Sequence, residues 1–267
     1  MAKTTTARRP HRILLGAVAA LLVVAGATAC EPRPPAKDHV VIFIHGYSAL
    51  GAGTNCNSAF GSLKSALRAD GFTGTFVTIG FYDSDTNCDL NLRSLDGGID
   101  NSTSWKTLSK VFSRYVHDNY TSKNITVDLV GHSMGGLIAR GAVQGSTAGE
   151  SGFSGPLLVE DAVTLAAPHA GAAWYSYLCL WGQCSQLKPG ASDINWLATV
   201  PNPQGLGGTD WTVLGSTTDD VVPESSALSM GVPAARKVLY TDVEHSDYQS
   251  NPVSQARTAL ALAEVDR

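Results

Sequence analysis

The chain of 267 residues carries no excess of positive charge. Nineteen lysines and arginines stand against 23 aspartates and glutamates, for a net charge of −4. That balance excludes nucleic acid as a partner, and tight electrostatic attachment to an anionic membrane surface. Cysteine is scarce, with five in all. No two have C-x-x-C spacing and no histidine sits beside them, which excludes a zinc site of the usual kind. Beyond residue 29 no stretch is apolar enough for a stable transmembrane segment. There is no internal repeat, and no low-complexity segment beyond one short proline-rich run. What is left is one sizeable domain.

The N-terminus reads as a segment apart. Lys3, Arg8, Arg9 and Arg12 precede an uncharged stretch from Ile13 to Ala29, and Ala27-Thr28-Ala29 supplies small residues for cleavage. This is the pattern of a secretory signal peptide over residues 1–29. Its loss leaves 238 residues and removes four basic side chains but no acid, so the mature charge falls to about −8. Residues 30–37 form a proline-rich spacer, and residues 38–267 form the single domain. The expected location is extracellular. Lipidation of Cys30 at the cell surface is the alternative, although Ala27 stands where a lipobox prefers leucine.

Export permits disulfides. Cys56, Cys88, Cys179 and Cys184 allow three pairings. The short separation of Cys179 and Cys184 favours local closure and leaves Cys56 for Cys88, both in loops after candidate strands. Asp83-x-Asp85-x-Asn87-x-Asp89 looks like the start of a calcium loop, but Cys88 replaces the glycine at its sixth position and Ser94 the glutamate at its twelfth. No metal is expected.

Short apolar runs at 39–44, 75–79, 125–130, 157–165, 211–214 and 236–240 predict strands. Helical periodicity around Phe60–Leu67, Trp105–Val116, Met134–Val143 and Val253–Val265 predicts helices between and after them. The alternation implies an α/β fold, with a mostly parallel central sheet covered by helices on both faces. In such sheets the working loops lie at the carboxyl ends of the strands.

One of those ends carries Gly131-His132-Ser133-Met134-Gly135 between a buried strand and a helix. Gly-x-Ser-x-Gly in that setting is a nucleophile elbow, a strained turn that lifts the serine hydroxyl clear of the sheet. A serine hydroxyl needs a base within reach, and the base needs an orienting carboxylate. Two acids, Asp219 and Asp220, follow a later strand. His245 follows the next, and is the one histidine C-terminal to both the elbow and the acid loop. The oxyanion needs donors as well. The backbone amide of Met134 is one candidate. The amide of Tyr47, in the His45-Gly46-Tyr47 loop after the first strand, is the other. His45 and His132 border the expected pocket.

The chain here resembles the α/β-hydrolase superfamily, and within it the secreted bacterial lipases and esterases of the actinobacterial triacylglycerol-lipase type. The resemblance rests on His45-Gly46-Tyr47, on Gly131-His132-Ser133-Met134-Gly135-Gly136, and on Ala167-Pro168-His169-Ala170-Gly171. It rests also on Gln186-Leu187-Lys188-Pro189-Gly190-Ala191-Ser192 and on the Asp219 and His245 loops, all in the expected order. Ala167 replaces the threonine of the family's Thr-Pro-His loop, and one residue is inserted before Ser192. The resemblance implies hydrolysis of carboxylic esters through an acyl-serine intermediate, without cofactor, on an apolar acyl ester such as an acylglycerol. A polyester or cutin-type hydrolase and an acyltransferase are the alternatives. Acid loops of the form Asp-x-x-Val-Pro use their first residue, which selects Asp219. Residues 172–210, with Trp174, Tyr175, Tyr177, Trp181 and Trp196, would wall an apolar acyl site or a small lid. A monomer is expected.

Overall fold

The computed structural model describes residues 1–3, 36–48, 52–172 and 182–263. The expected signal peptide and Cys30 lie almost wholly outside these, as do Trp174, Tyr175, Tyr177, Cys179 and Trp181.

Seven strands form one sheet: β1 (Val40–Ile44), β2 (Phe76–Gly80), β3 (Leu90–Asn91), β4 (Val127–His132), β5 (Val159–Leu165), β6 (Asp210–Ser216) and β7 (Lys237–Tyr240). Their order is β3-β2-β1-β4-β5-β6-β7, and every pairing is parallel. The expected "mostly parallel" sheet is thus wholly parallel among the described residues. Alternation along the strands feeds two cores. Ile42, Ile44 and Leu129 face one layer, while Val41, Phe43 and Val130 face the other.

The first layer is covered by α2 (Trp105–Asn119) and α3 (Met134–Thr147). The second is covered by α1 (Cys56–Ala69) and α7 (Pro252–Ala263). Each start has a local cause. Ser104 accepts a hydrogen bond from the Thr107 amide at 3.0 Å and so caps α2, which buries Trp105, Leu108, Phe112 and Val116. Asn55 accepts from the Asn57 and Ser58 amides and caps α1. That cap corrects one expectation: Cys56 is the first residue of a helix, not part of a loop. It is bonded to Cys88, as expected from the sequence. Closing that loop of about 33 residues contributes roughly 3–4 kcal/mol in the chain-entropy account. Cys184 is also disulfide-bonded, while its expected partner lies outside the described residues. Short helices α4 (Gly182–Ser185), α5 (Ser192–Ala198) and α6 (Glu224–Ala227) complete the chain.

Because all strands run one way, the residues after β1, β2, β4, β6 and β7 emerge at one edge of the sheet. Ile44 pairs with Gly131 and Ser216 with Tyr240, so the loops that follow these strands start level with one another.

Candidate active site

Ser133 sits between β4 and α3 with φ +53° and ψ −126°, a left-handed conformation rare for a residue with a side chain. Its amide bonds the Leu165 carbonyl at 2.8 Å and its carbonyl receives the Gly136 amide at 2.9 Å, which hold the turn on both sides. A Cβ at Gly135 would lie 2.1 Å from the Ile44 carbonyl oxygen, so glycine is required where the helix passes β1.

Three side chains from three loops meet at this turn. His245 Nε2 lies 3.0 Å from Ser133 Oγ. His245 Nδ1 lies 2.9 and 3.1 Å from the two oxygens of Asp219. Asp219 accepts two further bonds, from the Val221 and Val222 amides at 2.9 and 2.8 Å, so its loop fixes its direction. With a carboxylate as partner, Nδ1 carries the proton and donates. The Nε2 lone pair then faces the serine hydroxyl, which donates to it. Asp219 is buried, whereas Asp220 is exposed, and the His245 ring bonds to Asp219 and Ser133.

His132 Nε2 donates to the His245 backbone carbonyl at 2.8 Å, and the two rings lie 4.9 Å apart. Burial, and then the neighbouring His245, push the His132 pKa down to about 3. His132 is therefore a neutral donor. His45 is 2% exposed, with Nδ1 2.8 Å from the Gly46 carbonyl oxygen and Nε2 2.9 Å from Asp85 Oδ2. Gly46 passes so close to Ser133 that a Cβ there would lie 2.8 Å from Ser133 Cβ. The Tyr47 amide after it donates to no protein acceptor among the described residues. Met134 opens α3, and its amide belongs to the first turn, which has no intrahelical acceptor.

A cleft of about 360 Å³ opens over these groups, bordered by His45, Tyr47, His132, Ser133, His245 and Gln249. A larger open groove of about 840 Å³ lies elsewhere, over Lys64, Arg68 and Phe76, and touches none of them. The expected aromatic acyl wall is not formed by Trp196. That residue packs against Trp105 and Phe153 under the Lys106 ammonium, and Leu197 is in the core. Trp174 and Trp181 are outside the described residues. His169 is buried beside Thr164, at 3.1 Å, and does not border the cleft. Asp85 and Asp89 of the calcium-like stretch are taken up by protein donors: Asp85 by His45 and backbone amides, Asp89 by the Thr78 amide and hydroxyl. Among the described residues no cluster of three or more His, Cys, Asp or Glu is arranged to hold a metal. Asp85 and Gln249 were not among the expected site residues. Gln249 belongs to no motif, and Asp85 stood in the calcium-like stretch, while its partner His45 lies 40 positions away.

The sequence model of the PGAP1-like alpha/beta domain family matches residues 36–176, just over half of the chain. The chain belongs to this family, within the α/β-hydrolase superfamily. The PGAP1-like fold is similar to that of Bacillus licheniformis lipase BlEst2 in mature form, with a TM-score of 0.58 at 15% identity over 87% of this chain and 95% of that one. It is similar also to phospholipase PlaB from Legionella pneumophila, with a TM-score of 0.57 at 15% identity over 86% of this chain. A third likeness is to Aspergillus fumigatus lipase B, with a TM-score of 0.52 at 17% identity over 85% of this chain. The match spans 59% of the length of the Legionella phospholipase and 53% of the Aspergillus lipase. No curated protein matches the chain significantly in sequence. Among the described residues no helix is long and apolar enough to cross a membrane.

Proposed function

We propose that this PGAP1-like protein is a serine hydrolase of carboxylic esters. The observation that carries the reading is the continuous hydrogen-bonded line from Asp219 through His245 to Ser133, with steps of 2.9 and 3.0 Å. Ser133 Oγ attacks the ester carbonyl carbon while His245 Nε2 takes its proton. The carbonyl oxygen becomes an oxyanion facing the amides of Tyr47 and Met134. The tetrahedral intermediate then breaks its bond to the alkoxy oxygen, which leaves with the proton from Nε2. Water, deprotonated by the same nitrogen, adds to the acyl-serine. Collapse returns the carboxylic acid and a free Ser133. No step calls for a cofactor.

The favoured substrates are apolar acyl esters such as acylglycerols, in line with lipases and a phospholipase among proteins of similar fold. Residues 1–29 would direct export, and Cys30 would offer a lipid-anchoring point. The Cys56–Cys88 disulfide suits an oxidising compartment. The test is labelling of the purified protein by a fluorophosphonate, together with turnover of p-nitrophenyl esters. Ser133→Ala should abolish both while the protein stays folded. Substantial residual turnover in that variant would reject the mechanism. A chain-length series, emulsified triglyceride and solid polyester then separate lipase, esterase and polyester hydrolase.

A further inference from the structure

Both ring nitrogens of His45 face atoms that only accept. Nδ1 is 2.8 Å from the Gly46 carbonyl oxygen and Nε2 is 2.9 Å from Asp85 Oδ2. A neutral imidazole has a single N–H, so it makes one of these bonds and sets a lone pair against the other oxygen. Two bonds need two protons. Asp85 supplies the matching charge. Its Oδ2 also accepts from the Phe81 and Tyr82 amides at 2.6 and 2.8 Å, and its Oδ1 from the Thr54 amide at 2.7 Å. Burial alone would raise the Asp85 pKa, but His45 and these amides outweigh it and hold the carboxyl below its ordinary value. Phe81 stacks on the His45 ring at 4.2 Å and Tyr82 lies at 5.8 Å, while His132 is held neutral by burial.

The Gly46 carbonyl and the Tyr47 N–H belong to one trans peptide unit, so they point in opposite directions. Whatever captures the oxygen also aims the N–H. We propose that His45, held in place by Asp85, is a positioning residue that aims the Tyr47 amide at the oxyanion formed on Ser133. This rests on the reading of Ser133 as nucleophile. The device is anchored at its far end. The Thr86 amide donates to the Thr54 carbonyl at 2.9 Å, the Cys56 amide donates to the Thr86 carbonyl at 3.0 Å, and the Cys56–Cys88 disulfide closes the same segment around Asp85. The oxyanion donor is thus braced from α1 and the loop after β2, not by its own loop alone.

Three measurements test this. Nitrogen-15 NMR of histidine-labelled wild type should show a proton on His45 Nδ1, the nitrogen that faces the Gly46 carbonyl. An unprotonated Nδ1 overturns the proposal. In steady-state hydrolysis of p-nitrophenyl butyrate, His45→Gln and Asp85→Asn should each lower kcat about 10- to 100-fold with KM within about threefold. They should weaken inhibition by an aryl boronic acid, whose serine adduct mimics the tetrahedral intermediate, by a similar factor. His45→Asn, whose amide nitrogen falls near the place of Nδ1, should recover part of kcat. A kcat within about threefold of wild type in folded His45→Gln, or a loss carried by KM, overturns the proposal. So does His45→Asn no better than His45→Gln. Wild type that neither labels with fluorophosphonate nor turns over ester rejects the serine-hydrolase reading instead.

Discussion

His132 and His245 are joined by a bond from the ring of one to the backbone of the other: Nε2 of His132 donates to the His245 carbonyl at 2.8 Å. The residue before Ser133 thus holds the loop that carries His245, 113 positions further on. His132 makes this bond as a neutral ring, because burial and the neighbouring His245 disfavour its charged form. Its folded pKa, about 3, lies below the ordinary 6.5, so its contribution to stability is complete above pH 6.5 and is lost as pH falls toward 3. His132→Phe keeps an aromatic ring beside His245 but removes the donor. We expect kcat on a p-nitrophenyl ester to fall about tenfold, the equivalent of about 1.4 kcal/mol, with KM little changed. Steady-state kinetics at pH 8 checks it.

Asp219 and Asp220 are neighbours with opposite surroundings. Asp219 is buried, bonded to two amides and to His245; Asp220 is exposed. Asp219→Asn should lower kcat roughly 10³- to 10⁴-fold, because an amide in that place permits the wrong histidine tautomer. Asp220→Asn should change kcat by less than about twofold. Equal losses in both variants would remove Asp219 from its place as the orienting acid.

The parts of the fold that could be read from the sequence were the local ones. Buried parallel strands are apolar runs, so β1, β4 and β6 stood out, and Gly-x-Ser-x-Gly announced its strand-turn-helix setting. The order Ser133, Asp219, His245 follows from chain order alone. What escaped was non-local or very short. β3 has two residues and pairs through Ile79 and Gly80, which no pattern in Leu90–Asn91 marks. α5 forms where Arg140 and Gln144 of α3 donate to the carbonyls of Leu197 and Trp196, so its position is set by another helix. Asp85 resembled part of a calcium loop because its role as the partner of His45 is decided across 40 residues. Trp196, grouped with its aromatic neighbours as a pocket wall, is drawn instead to Trp105 and Phe153.

Gly46 and Gly135 both lack room for a methyl group, but the obstacles differ. At Gly46 the new Cβ meets Ser133 Cβ at 2.8 Å, so the loop would shift by a few tenths of an ångström and carry the Tyr47 amide with it. At Gly135 it meets the Ile44 carbonyl oxygen at 2.1 Å, which is sheet backbone. Gly46→Ala should therefore fold, with Tm within a few degrees of wild type and kcat lower by about 100-fold. Gly135→Ala should not yield folded protein. Circular dichroism melts and ester kinetics on the two variants separate the cases.

At the opposite edge of the sheet, Asp161 of β5 is a buried carboxyl among like charges. Burial above all, then Asp128, Asp210 and Glu160, push its pKa up to about 9, and Arg236 offsets only part of this. Its Oδ1 has no hydrogen-bond partner, while its backbone amide donates to Asp128 Oδ1 at 3.1 Å. The folded protein keeps this proton up to about pH 9, whereas the unfolded chain releases it near 3.8. The unfolded state thus binds fewer protons between these values, and this group's contribution to stability falls as pH rises through that window. Asp161→Asn is nearly isosteric and cannot ionise. Its Tm should exceed that of wild type by more at pH 8 than at pH 5, the difference in unfolding free energy widening by up to about 1.4 kcal/mol per pH unit. Ester turnover should be unaffected, since the site lies beyond the far ends of these strands. Thermal melts of both proteins across pH 5–8 decide it: a gap that does not widen with pH would mean that Asp161 is ionised in the folded protein.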